Sequence, residues 1–208
     1  MGNPDAPYAL VDLTERTRRQ GLLTLPAYDS FRNYLDEVRS ICKLTAQVPD
    51  FDPCDGGVTA RALFLLEAPG PQAVASGFVS RNNPDPTARN MCELLSEAGL
   101  LRKDTLLWNV VPWYCGDGQR IQAPSRDDIR KGLTVLPKLL AILRDLRCVV
   151  LVGRKAQQAR SALPKGLTII ETFHPSNRVR FAWREKYQSI QSQLAEVRLN
   201  IQRASSNF

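Results

Sequence analysis

Four short apolar runs, each cut off by a polar residue, glycine or proline, leave this chain few architectures to choose from. They are Ala62 to Leu66, Thr105 to Val111, Cys148 to Val152 and Leu167 to Phe173. Unbroken apolar runs of this length read as strands covered on both faces. Stretches of helical period separate them, with Met91, Leu94, Leu95 and Ala98 on one face of the first and Leu133, Leu136, Leu140 and Leu143 on that of the next. Strands that alternate with helices predict an α/β fold, a three-layer α/β/α arrangement around a central four-stranded parallel sheet.

The way each run stops carries the functional information. Glu67 with Pro69-Gly70 ends the first; Asn109 is the one strongly polar residue of the second, which Pro112 terminates; Gly153 ends the third. The fourth runs into His174-Pro175-Ser176, where proline removes a backbone donor and biases His174 toward extended dihedrals. Right-handed crossovers would gather these carboxyl ends on one side, where open α/β sheets bind their ligands. His174 is the only histidine in the chain. Alone it is as consistent with a satisfied structural residue as with a catalytic one. A carboxylate, a carboxamide and an imidazole sharing one crevice form the usual layout of an active site.

At 208 residues and 43% hydrophobic, the chain is expected to form one domain over 1–208. A core of residues 62–197 would carry a helical N-terminal extension, 1–61, packed on it. In that extension Leu13 to Gln20 is expected to form a short helix capped by Thr14 or Asp12. A second follows a Ser30 cap, with Phe31, Tyr34, Leu35, Val38 and Ile41 at helical spacing. Asp50 to Gly57 reads as a loop. Residues 70–85, rich in Gly, Asn, Pro and Ser, read as one long loop, and such loops inside a compact domain are usually functional. Further helices are expected from Pro86, from Ser125 with Asp127 and Asp128 in the first turn, directly after Gly153, and over residues 184–202. The tail from Ser205 is expected to be loose.

The net charge of +7 is unevenly placed: residues 144–208 hold twelve basic and four acidic side chains, whereas residues 1–61 hold seven and nine. A concentrated positive field suits a polyanion such as nucleic acid, although a basic face also serves solubility alone. The five cysteines, at 42, 54, 92, 115 and 148, form no C-x-x-C pair or zinc spacing and follow no signal peptide. Reduced thiols in a cytoplasmic protein are expected, with no metal and no cofactor. No apolar run approaches the roughly 20 residues of a membrane span. Ala6 stands where myristoylation at Gly2 would want Ser or Thr. A monomer without a membrane anchor is the expectation.

Leu66-Glu67-Ala68-Pro69-Gly70 resembles the first motif of the uracil-DNA glycosylase superfamily, closest to the G-E-A-P-G form of its family 4 branch. His174-Pro175-Ser176 resembles the same family's H-P-S motif. Between them, Gly77-Phe78-Val79 resembles the P-F-V-G segment and Asn109-Val110-Val111 the N-V-V segment. The resemblance implies an enzyme that everts a nucleotide from DNA and hydrolyses the N-glycosidic bond of deoxyuridine in base-excision repair, without a lyase step. It implies that Phe78 stacks on the uracil, that Asn109 pairs with N3 and O4, and that Ala68 and Gly70 line the base pocket. His174 would donate to uracil O2 as negative charge grows there, and Glu67, helped or replaced by Asp85, would serve the sugar side. In the stretch after the H-P-S motif, Ser176, Arg178, Val179 and Arg180 would meet DNA, Arg178 or Val179 filling the gap left by the base. For Phe181 and Trp183 packing against the last helix is the favoured reading.

The chain departs from family 4 in several places. Leu66 replaces a glycine, Asn82-Asn83-Pro84-Asp85-Pro86 looks like an insertion, and Cys42 and Cys54 are too far apart to copy the pair that begins that branch's iron-sulfur site. A divergent branch without the cluster is expected. Other readings are a superfamily member that binds damaged or abasic DNA without cleavage, a glycosylase for hypoxanthine or xanthine, and a Cys-His hydrolase using Cys115 and His174.

Overall fold

The computed structural model describes residues 3–42, 47–116 and 122–203. The tail from Ser205 and the Met1-Gly2 dipeptide lie outside the described residues. Strands β2 (Ala62–Leu66), β4 (Thr105–Asn109), β5 (Cys148–Val152) and β6 (Thr168–Thr172) form an all-parallel sheet in the order β4-β2-β5-β6. Leu66 pairs with Asn109, and Val152 with Thr172, so strand ends stand side by side. Every residue of β4 and β5 is buried, as helices on both faces require. Helix α2 (Asp29–Ile41) packs with α5 (Arg126–Ile142), and α4 (Pro86–Glu97) packs with α6 (Asn177–Ala182) and α7 (Arg184–Arg203), the last lying along β5 and β6.

Strand β4 stops two residues before the expected Val111. The Val110 and Val111 amides turn instead to the exit of β2, donating to the carbonyls of Leu66 (2.8 Å) and Glu67 (3.0 Å). Gly132 of α5 allows this segment to lie close, since a Cβ there would stand 2.0 Å from the Val110 carbonyl oxygen. Helix α5 begins with a capping box, Ser125 and Asp128 each satisfying the other's backbone amide.

Several expected loops carry structure. Residues 70–85 contain α3 (Pro71–Ser76), opened by proline and closed by Gly77 at φ 85°, and β3 (Phe78–Val79). Strand β3 pairs in parallel with β1 (Asp50–Phe51), inside the segment read as a loop. Elements of two to six residues are too short to show a period, which is why the sequence did not announce them. Ser30 lies inside α2 and does not cap it; Tyr28, at the end of a 3-10 turn, stands at the cap position. Asp12 does cap α1 (Leu13–Leu22), accepting from the Thr14 amide. After Gly153 the backbone winds as a 3-10 helix, Ala156–Ala162.

The first helices are held by aromatic and ionic contacts. Phe51 stacks on Trp108 with centroids 3.6 Å apart, and the Trp108 indole donates to the Tyr34 hydroxyl at 3.2 Å. Arg19 of α1 is fully buried and pairs with Glu15 and with Asp52, while donating to Asn82 Oδ1 at 3.0 Å. Arg102 joins Asp52 to Asp55 (3.1 Å) and to Asp5 (2.9 Å), and Arg81 pairs with Asp55 at 3.3 Å. Buried charges persist only when paired, because desolvation costs several kcal/mol per ion. This network therefore fixes α1 against residues 80–83. Asp52→Ala removes the buried carboxylate that bridges Arg19 and Arg102, leaving Arg19 with Glu15 and Arg102 with Asp55 and Asp5 alone, and is expected to lower the unfolding free energy by about 3 kcal/mol, read by urea denaturation at neutral pH.

Candidate active site

A cavity of about 500 Å³ opens at the carboxyl ends of the sheet. Its wall takes Glu67, Ala68 and Gly70 from the segment after β2, Asn109 from the end of β4 and His174 from the segment after β6. Strand β3 adds Val79, the turn after it Ser80, Asn83 and Asp85, and Gln122 to Pro124 line the cavity as well. The carboxylate, the carboxamide and the imidazole, drawn from residues 67 to 174 of the chain, thus share one wall.

Each polar group is held differently. Asn109 is 4% exposed, and its Nδ2 donor is buried with no hydrogen-bond partner. Among the described residues none donates to the Glu67 carboxylate, although its own carbonyl is fixed by Val111. Asp85 caps α4 by accepting from the Ala88 amide at 2.9 Å, and burial pushes its carboxyl above the usual range. Gly153, at φ 87°, makes room for His174, because a Cβ there would stand 3.2 Å from the histidine Cβ. Burial lowers the His174 pKa from 6.5, so the imidazole is neutral at physiological pH and offers one N–H donor.

Not every expected site residue reaches this wall. Phe78 is 1% exposed and is not among the lining residues; its strand neighbour Val79 is. Alternation along β3 sends adjacent side chains to opposite faces, so only one of the two can face the cavity. Val179, expected with Arg178 as a candidate to fill the gap left by the base, is buried in the core, because residues 177–182 form α6 and that helix turns it inward. Ser176 caps that helix by accepting from the Val179 amide. Arg180 is engaged by Glu93 and by Asn90 Oδ1, which occupies the guanidinium expected to touch phosphate.

Arg178 is exposed and lies 4.4 Å from the centroid of Trp183, and Lys186 lies 3.7 Å from the same ring and 5.4 Å from that of Phe173. Phe181 does not pack as expected: it is 71% exposed. A basic and aromatic surface therefore begins at the residue before His174. Cys115, the nucleophile of the hydrolase reading, is absent from the cavity wall, and burial pushes its thiol up to about 12, far from a thiolate.

The uracil DNA glycosylase superfamily model matches residues 53–198, well over half of the chain. The chain belongs to this superfamily. Membership supports a DNA glycosylase type of hydrolase that binds DNA and acts in DNA repair, and the parallel sheet flanked by helices fits the family's α/β fold. No curated protein matches the chain. Among the described residues no three His, Cys, Asp or Glu side chains gather as metal ligands, so the cysteines present do not fit the iron-sulfur site of the family 4 branch. No helix of the described residues is long and apolar enough to cross a membrane.

Asn83 and the Gln122 to Pro124 segment escaped the sequence reading. The only signal for Asn83 was the insertion-like Asn82-Asn83-Pro84-Asp85-Pro86 run; nothing marked the other. Because His174 is the chain's one histidine, its ring protons can be assigned without ambiguity by NMR. Titration is expected to give a midpoint below 6.5. A depressed folded-state pKa also means that stability falls as pH drops below the unfolded value of 6.5 and through that midpoint, since the unfolded chain then binds the extra proton. A midpoint at or above 6.5 contradicts a neutral donor held by burial.

Proposed function

We propose that the chain is a monofunctional uracil-DNA glycosylase of base-excision repair, acting as a cytoplasmic monomer on uracil-containing DNA. The observation that carries this reading is the convergence of His174, Asn109 and Glu67 on one cavity, with the Asn109 donor left unpaired. An everted base would be received there by hydrogen bonds to its edge and by the apolar faces of Val79, Leu107 and Met91, with Phe78 buried in the same short strand as Val79.

In the reaction the bond between the sugar C1′ and the base nitrogen breaks, and its electron pair leaves with uracil. His174 donates its N–H to uracil O2 and stabilises the forming anion, a role for which a neutral, partly buried imidazole is suited. Glu67 stabilises the developing positive charge on the sugar and orients water for addition at C1′, Asp85 being the second carboxyl within the wall. The proton released by that water passes to a carboxylate. The Asn109 Nδ2 donates to the base carbonyl at position 4, which cytosine replaces with an amino group.

Arg178, Lys186 and Trp183 supply the surface beside the cavity for the phosphate backbone and unstacked bases. Phe181 takes the gap-filling role that the burial of Val179 rules out for that residue. A second reading, hypoxanthine or xanthine as substrate, draws on Gly70, where a Cβ would meet nothing within 4 Å and the wall leaves room for a larger ring.

Single-turnover release of base from oligonucleotides carrying uracil, hypoxanthine or xanthine tests these readings. Uracil release is expected, with His174→Ala slower by about 10²–10³ as for loss of a transition-state donor. Tight lesion binding with no release of any base, even at high enzyme, would leave only a damage-binding protein. On the DNA-facing surface, Phe181→Ala is expected to weaken duplex affinity about tenfold without changing stability. Val179→Ala is expected to do the reverse, lowering the unfolding temperature through a core cavity and sparing affinity.

A further inference from the structure

Two polar atoms on the cavity wall are buried without a hydrogen-bond partner, and they are of opposite sense. Asn109 Nδ2 is a donor and Asn83 Oδ1 an acceptor. Both side chains line the same cavity and are 4% and 2% exposed. Buried polar groups are almost always paired, so two unpaired ones at one wall point to a ligand that satisfies both.

The Asn83 amide has little freedom to do anything else. Its Nδ2 donates to the Phe78 carbonyl at 2.8 Å, which fixes the orientation, since the flipped amide would set two oxygens against each other. The backbone around it is pinned as well: the Asp85 amide donates to the Asn83 carbonyl at 2.8 Å. The neighbouring Asn82 is gripped by Arg19 and Arg102 through Oδ1 and donates to the Ala6 carbonyl. The buried ion pairs thus hold an acceptor at the wall in a preset direction.

We propose that Asn83 is a second base-recognition residue, its Oδ1 accepting the ring N–H of the everted base while Asn109 Nδ2 donates to the adjacent carbonyl. The substrate class this pair selects is a base with a lactam edge, N–H beside C=O. Uracil shows that edge at N3 and C4, and hypoxanthine at N1 and C6. Cytosine and adenine show a bare ring nitrogen beside an amino group, which would set acceptor against acceptor and donor against donor. A site built to hydrogen-bond an N–H discriminates strongly against an analogue lacking it, because its own buried groups are then left unpaired.

The proposal rests on the glycosylase reading, and the experiment separates the two. Duplexes carry deoxyuridine or N3-methyldeoxyuridine, in which a methyl group takes the place of the N3 proton while both carbonyls remain. Single-turnover release and competing affinity are measured for the wild type, Asn83→Ala and Asn109→Ala. The wild type is expected to prefer uracil about tenfold, the worth of one hydrogen bond, Asn83→Ala to lose that preference and Asn109→Ala to keep it. Equal loss on both substrates in Asn83→Ala, with the preference intact, overturns the proposal, because Asn83 then only supports the Phe78 turn. So does a wild type without preference. If no base is released from either duplex, the glycosylase reading fails by itself, and the affinities still decide whether Asn83 reads N3–H. Failure to bind either duplex overturns both.

Discussion

Four parallel strands must end on the same side of their sheet, and the candidate site is a consequence of that constraint. Glu67, Asn109 and His174 each stand at or just beyond a strand's carboxyl end, and the lateral pairing of Leu66 with Asn109 sets two of them side by side. Backbone hydrogen bonds extend the registration past the strands, from Val110 and Val111 to the β2 exit and from Gly153 to Thr172. The polar groups are therefore positioned by backbone geometry. Little of that positioning falls to side-chain contacts, which leaves Asn109 and Glu67 free for a ligand.

The part of the wall from residues 78–85 is built on a different principle. Residues 78–85 belong to no strand of the main sheet, and their shape depends on charges buried beneath them. Arg19, Arg81 and Arg102, set against Asp52 and Asp55, link the first helix to this turn at a desolvation cost that only pairing offsets. One part of the cavity wall thus owes its form to the sheet and another to the N-terminal helices. The basic and aromatic surface after His174 follows a third, local rule: the Ser176 cap opens the helix over residues 177–182, which turns Val179 inward and Phe181 outward.

The fold was legible because its elements are long and strongly patterned. The runs at 62–66 and 148–152 are strands to the residue, and the α5 start carries its capping signal in the run Ser125-Arg126-Asp127-Asp128. What was illegible was short or conditional. Neither β1 nor β3 is long enough to alternate, and α3 is one turn and a half between a proline and a glycine. Val179 and Arg180 looked available for DNA because basic residues interleaved with apolar ones give the same pattern in an exposed loop and in an amphipathic helix. Only the packing of α6 on α4, with Glu93 and Asn90 beneath Arg180, separates them.

By itself the sequence determined the parallel α/β architecture and the convergence of a carboxylate, a carboxamide and an imidazole, since strand period, stop signals and connection rules act locally and leave few topologies. Tertiary structure alone decided which side chains became the wall. That choice turns on which of two strand neighbours faces inward, on which guanidinium groups are already paired, and on the partner to which an asparagine gives one end of its amide. Each is settled by contacts between residues tens of positions apart, which no local pattern in the chain encodes.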